Sequence, residues 1–365
     1  MVVKFGTRLL TSGTDHLDLS LMAKLVEQIV RLHHRGREII IVSSGAVAAG
    51  RQGLKGALEH KSTPFKQVLA SVGQSHLMHA YEQLFGQHDI TLAQALLTRR
   101  DLSDRSGYLN ARNTLLALFG LGVIPIVNEN DVVATDELEG GKFGDNDELS
   151  AMVANLVDAD VLVLLTDIAG LYTADPHYNS DVQLISRVEH FDEQLYRLAT
   201  GSAYPEGTGG MLTKVEAAKL ATSSGAEVII ADGRETDVLY RIDNGEQTGT
   251  FFPAQSNKME SRKRWMLSGL SSRGEIVVDR GAARALREHK GSLLPAGIIA
   301  VKGDFQRADI VDILSEKGKH IASGITNYGS RDIKVIQGKQ SHEIPDSLGY
   351  GYGDEVVHRD NMVVL

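Results

Sequence analysis

The sequence predicts an α/β chain, a three-layer sandwich around a mostly parallel sheet, followed by a small β-rich domain. Three observations predict it. Short apolar runs alternate with amphipathic helical patterns from the first residue to about Phe252. Those runs are continuously apolar, as strands buried beneath helices on both faces must be. From Gly274 onward the texture changes to short alternating stretches with many glycines.

Taken in order, Val2-Val3 opens a strand that ends at Lys4-Phe5-Gly6-Thr7. Residues 18–34 read as a helix with Met22, Leu25, Val26, Ile29 and Val30 on one face, closed by Gly36. Ile39 to Val42 is a buried strand, then Ser43-Ser44-Gly45-Ala46 and a helix of small residues. A longer helix covers about 64–86, a strand 90–97, a helix 107–119 and a strand 123–127. Residues 148–157 look helical, 161–165 form a strand, and 228–231 form another beyond a glycine-rich loop and its helix. We expect domain boundaries at 1–254, a linker at 255–273 and a second domain at 274–365. In that second domain the strand candidates are 275–278, 298–301, 310–314 and 356–358.

Composition removes several function classes. The formal net charge of -9 argues against a general affinity for nucleic acid or anionic membrane. From Gly274 onward 12 basic residues face 13 acidic ones, so the tail has no basic footprint either. With no cysteine there is no disulfide, no thiolate metal site and no cysteine nucleophile. The 13 histidines are scattered without metal-ligand spacing, and no metal site is expected in the protein itself. The apolar runs are too short to span a bilayer, and the chain starts directly in structure, so we expect a cytoplasmic protein.

In parallel sheets, ligands bind beyond the carboxyl ends of the strands. Polar and glycine residues sit at several such ends: Lys4 with Gly6-Thr7, Ser43-Ser44-Gly45, Asn128 with Asn130 and Asp131, and Thr166-Asp167. Taken singly, each could be ordinary capping and turn chemistry. Lys4 exceeds that reading, because a lysine at a buried strand end is costly unless paired. The stretch Gly207-Thr208-Gly209-Gly210-Met211-Leu212-Thr213-Lys214 feeds a helix, and such a turn presents free N–H groups to an anion. It is not a Walker A loop, since Leu212 and Thr213 separate the glycines from Lys214. Alone it reads first as a glycine-rich loop with a surface lysine. The acidic segment 135–147 reads as a lid or a solvated loop.

Together these stretches resemble the motif set of the amino acid kinase family. They are Val2 to Thr7, Ser43 to Gly50, Val127 to Asp131, Gly144 to Asp147, Leu164 to Tyr172 and Gly207 to Lys214. The tail from Gly274 resembles a PUA domain. The resemblance spans the whole chain and implies the amino acid kinase fold. Within the family it points to the branch that transfers phosphate from ATP, with Mg2+, to the γ-carboxylate of L-glutamate, the first step of proline biosynthesis. It implies that Lys4 and Lys214 flank the transferring phosphoryl group and that Asp147 holds them. It places Ser44, Gly45, Asn128, Asp131 and Asn146 around glutamate. Thr166, Asp167 and the loop residues Thr208, Gly209, Gly210, Met211, Leu212, Thr213 and Lys214 fall around the nucleotide, together with Lys4. It also implies a homodimer or homotetramer, with proline as a candidate feedback inhibitor. Arg8 departs from the pattern, standing where a small hydroxyl residue is common, and 137–142 looks a few residues long. Family members acting on N-acetylglutamate, carbamate, aspartate or a nucleoside monophosphate, a catalytically dead regulator and an RNA-binding protein are the competing readings.

Overall fold

The structure, a computed structural model, describes residues 1–54, 62–134, 146–174, 182–200, 210–256, 272–289 and 291–365. The chain divides into two compact units, Met1–Ser103 with Asn110–Asn257, and Asp104–Leu109 with Lys258–Leu365. Among the described residues no helix is long and apolar enough to cross a membrane.

The first unit is built on a seven-stranded sheet. Its strands are β1 (Val2–Phe5), β2 (Ile40–Ser43), β3 (Leu92–Leu97), β4 (Ile124–Glu129), β5 (Val161–Thr166), β6 (Glu227–Asp232) and β7 (Thr250–Phe252). Their order is β3-β4-β2-β1-β5-β6-β7. All pairs are parallel except β6–β7, which closes one edge antiparallel. In chain order the helices as far as Asp243 are α1 (Thr7–Leu10), α2 (Leu19–His34), α3 (Ala46–Gly53), α4 (Thr63–Gly86), α5 (Arg99–Ser103), α6 (Arg105–Gly120), α7 (Asn146–Leu156), α8 (Glu193–Thr200), α9 (Met211–Ser223) and α10 (Val238–Asp243). Strands β1 and β2 are buried at every position, which explains their unbroken apolar runs. Helix α2 buries the five residues expected, plus Leu32 and Gln28, and the Gln28 Oε1 accepts from the Leu239 N–H at 2.9 Å.

Register matters more than order for the site. Phe5 pairs with Ser43 on one side and Leu165 on the other, Val42 pairs with Val127, and Thr166 pairs with Asp232. The carboxyl ends of the inner strands therefore lie along one edge. β1 is where the chain changes direction across the sheet, with β2 on one side and β5 on the other.

The second unit carries a five-stranded sheet from β8 (Gly274–Val278), β9 (Ile298–Gly303), β10 (Ile310–Ser315), β11 (His320–Ile325) and β12 (Met362–Val364), ordered β12-β11-β10-β8-β9. Ile276, Val278, Ile313, Ile321, Val356 and Val357 lie in its core. Three of the four strand candidates appear. The fourth, 356–358, is corrected to an isolated bridge from Val357 to Leu293, while β11 and β12 carry the outer ladder instead. Val356 and Val357 are apolar because they plug the core, and burial there does not require a strand.

Candidate active site

Lys4 sits near the carboxyl end of the central strand and is buried. Its Nζ lies 2.7 Å from Asp147 Oδ1. Lys214 reaches the other carboxylate oxygen, with Nζ 3.1 Å from Oδ2. The Thr213 hydroxyl lies 2.8 Å from that same oxygen and 2.8 Å from the Gly210 carbonyl. Local chemistry sets two of these positions. Asp147 falls in the first turn of α7, where the helix dipole favours an anion. Lys214 falls in the first turn of α9, where the dipole disfavours a cation, and Asp147 offsets that cost. Asp147 is fully excluded from water, which opposes its charge. Lys214 and Lys4 outweigh burial and hold its carboxyl well below the usual carboxylate range. The expensive lysine of the strand end is thus paired, with a carboxylate distant in sequence.

Beside this ion triplet lies a chain of buried amides and hydroxyls. The Asn146 amide nitrogen is 2.9 Å from Ser44 Oγ, 2.9 Å from Asn128 Oδ1 and 3.3 Å from the Ser43 carbonyl. Asn128 in turn donates to Gln74 Oε1 at 2.8 Å. Beneath them the Ser43 and Tyr81 hydroxyls meet at 2.8 Å. Gly45 turns the chain from β2 into α3 with φ +103, a conformation that L side chains rarely adopt. Asp131 lies just past β4 and is half-buried; burial, reinforced by Glu129, pushes its carboxyl up to about 7. A carboxylate so poised is a candidate for a functional role.

On the far side of β1, Thr166 Oγ1 lies 3.1 Å from Asp167 Oδ1. Asp167 faces Arg8 at 3.6 Å, and Arg234 donates to the Asp167 carbonyl. Gly210 caps α9, with Met211 buried and Leu212 half-buried behind it. Thr208 and Gly209, like residues 135–145 of the acidic segment 135–147, lie outside the described residues.

The structure therefore brings Lys4, Asp147 and Lys214 together, and joins Ser44, Asn128 and Asn146 in one network. It sets Thr166 and Asp167 at the end of β5 and Gly210 to Thr213 at the start of α9. Gln74, Tyr81, Arg8 and Arg234 are additions. Gln74 and Tyr81 have no sequence signal, because a polar residue and an aromatic in a long helix read as surface and core.

The model of the amino acid kinase family matches residues 1–232. The chain belongs to the amino acid kinase family. The PUA domain model matches residues 274–348. Relatives align along both parts. The chain is 56% identical over 367 residues to glutamate 5-kinase of Dehalococcoides mccartyi (strain CBDB1), covering 100% of this chain and 98% of that protein. Glutamate 5-kinases of Herpetosiphon aurantiacus and Shewanella oneidensis are each 49% identical over 365 residues, covering all of this chain and 98% and 97% of those proteins.

Proposed function

We propose that this chain is an ATP-dependent glutamate 5-kinase whose phosphoryl site is the Lys4–Asp147–Lys214 triplet. The observation that carries it is two buried ammonium groups, from the end of β1 and the start of α9, set on opposite oxygens of one buried carboxylate. Relatives of that name, aligned along the whole chain, supply the acceptor.

Phosphoryl transfer asks the protein for positioning and electrostatics more than covalent chemistry. A γ-carboxylate oxygen of glutamate attacks the γ-phosphorus of ATP, and the bond to the β,γ-bridging oxygen breaks, releasing ADP. The acceptor is already anionic at neutral pH, so no general base is needed, and the described residues of the site include no histidine. Lys4 and Lys214 face the charge that develops on the phosphoryl oxygens. Asp147 lets two cations share one buried site without mutual repulsion dominating. Both of its oxygens are committed to lysines and Thr213, so it is a poor metal ligand. Mg2+, which neutralises phosphate charge when bound, fits this site as a nucleotide-borne ion held mainly by the phosphates. In this reading Asp131, Asn146, Ser44, Gly45 and Asn128 serve the amino-acid side. Thr166, Asp167 and the start of α9 serve the nucleotide side, to which the same reading assigns Thr208 and Gly209.

The same reading takes 1–254 as the catalytic domain, 255–273 as a linker and 274–365 as the PUA domain. It adds a cytoplasmic homodimer or homotetramer, and feedback by proline.

The test is ADP release with L-glutamate, L-aspartate, N-acetyl-L-glutamate, carbamate and UMP, with hydroxylamine trapping any acyl phosphate. Turnover and hydroxamate with glutamate alone are expected. Turnover with another acceptor would keep the lysines and overturn the substrate.

A further inference from the structure

The amide chain beside the triplet has a polarity fixed by backbone groups. The Glu129 N–H donates to Asn128 Oδ1 at 2.9 Å, so that atom is an acceptor and Asn128 Nδ2 is the donor to Gln74 Oε1. At the other end, the Ser43 carbonyl only accepts, so the Asn146 atom facing it is the NH2 group. The two assignments agree where the chains meet, with Asn146 Nδ2 donating to Asn128 Oδ1. One consequence is that Gln74 Nε2 is a buried donor with no hydrogen-bond partner among the described residues. Buried amide donors are rarely left in that state, and each such group needs a reason.

Gln74 is held in place by close helix packing. Its neighbour Gly73 lies so near α3 that a Cβ there would fall 1.8 Å from the Ala46 carbonyl oxygen. Helix α4 is thereby seated against the first turn of α3, which begins at the Ser44-Gly45 turn. The chain also has a direction. It leaves the lysines at Asp147, continues through its neighbour Asn146 and then Asn128, and ends at Gln74. An acceptor with one carboxylate at the lysines would extend its other carboxylate toward the Gln74 end.

We propose that Gln74 is a further substrate-binding residue, whose Nε2 donates to the α-carboxylate of the amino acid acceptor. This rests on the glutamate reading above. Gln74 then favours dicarboxylic acceptors of the right length, because a carboxylate accepts its N–H more strongly than a neutral amide does while the second carboxylate meets the phosphoryl group.

The experiment uses the full chain with Gln74→Glu and Gln74→Leu. It reads KM for L-glutamate and ATP, kcat, and the competitive inhibition constant of L-isoglutamine, which keeps the γ-carboxylate but carries an α-carboxamide. Gln74→Glu retains an oxygen for Asn128 and turns the free donor into an acceptor. The expected result is a rise of about ten- to a hundredfold in glutamate KM, with ATP KM unchanged. Isoglutamine, whose amide can donate to the new carboxylate, should gain relative to glutamate. Gln74→Leu should lower the selectivity for glutamate over isoglutamine, and it serves as the deciding variant if Gln74→Glu does not fold. Equal weakening of both compounds, or an unchanged glutamate KM, would overturn the proposal and leave Gln74 a packing residue. Failure of the wild-type chain to phosphorylate glutamate would instead sink the functional reading itself.

Discussion

Lys4 Nζ lies 2.7 Å from Asp147 Oδ1, with both side chains excluded from water. The pair ties the end of the central strand to the first turn of α7, and Lys214 ties the start of α9 to the same carboxylate. Three elements far apart in sequence thus meet at one charge centre. Paired burial of this kind is retained at a cost in desolvation. A site that must bind and stabilise a transferring phosphoryl group gives that cost a purpose.

Methionine at position 4 or 214 would keep much of the aliphatic packing and remove the charge. We expect Lys4→Met and Lys214→Met each to lower kcat by about 10²–10³-fold, the scale of losing one electrostatic stabiliser. The glutamate KM should move far less, and circular dichroism should be unchanged. Steady-state ADP release decides it, and near-normal kcat in either variant would remove that lysine from the phosphoryl site.

Asp147→Asn leaves two buried ammonium groups around a neutral amide. Removing one partner of a buried pair costs about 3–5 kcal/mol, so urea unfolding should show a midpoint well below that of the wild type. The pH dependence has a definite sign. Asp147 has its carboxyl depressed in the folded state, so its stabilisation is complete above the unfolded carboxylate pKa of about 4 and is lost as pH falls through the depressed folded value. The gap between wild type and variant should be constant at neutral pH and close only in acid. Equal stability at pH 7 would contradict the pairing energetics.

Asp131, pushed up to about 7 by burial and then by Glu129, should titrate within the working range. A carboxylate that receives an ammonium group must be ionised to do so. We therefore expect kcat/KM for glutamate to fall as pH drops through about 7, a limb that reports the free enzyme. Asp131→Asn should lower kcat/KM at pH 8 and abolish the limb. Glu129→Gln should move it toward acid. A limb that persists in Asp131→Asn would assign the titration to another group.

Gly73→Ala would place a Cβ 1.8 Å from the Ala46 carbonyl oxygen and 2.3 Å from the Gly50 nitrogen. Overpacking of this sort costs about 1–3 kcal/mol or more. Relief requires α3 and α4 to separate, which would move the Ser44-Gly45 turn. A lower unfolding temperature together with a raised glutamate KM is expected, and an unchanged KM would show that the turn is positioned independently of α4.

Much of this molecule is legible in its sequence, for identifiable reasons. Runs such as Val161 to Leu165 read as parallel strands because helices on both faces leave no solvent side to mark with polar residues. Helix α2 reads clearly because its apolar stripe covers a single face. Strand β11 is hard to read because Ala322, Ser323 and Gly324 give it little apolar contrast, although it is largely buried. Gln74 is illegible for the opposite reason. A glutamine on a long helix carries no sign of its partner, since Asn128 belongs to a strand elsewhere in the sheet.

The sequence by itself determined the order of the parallel strands β1 to β6, the parallel sheet, the glycine-punctuated strand ends and a lysine too buried to stand unpaired. Only the tertiary structure decided what pairs it, which amides share hydrogens, and which donor is left over. Those outcomes depend on register: β1, β2, β4 and β5 align their carboxyl ends along one edge, and helices α7 and α9 bring their first turns to that edge. Periodicity encodes which face of an element is buried, whereas distances between elements follow from packing across the whole unit.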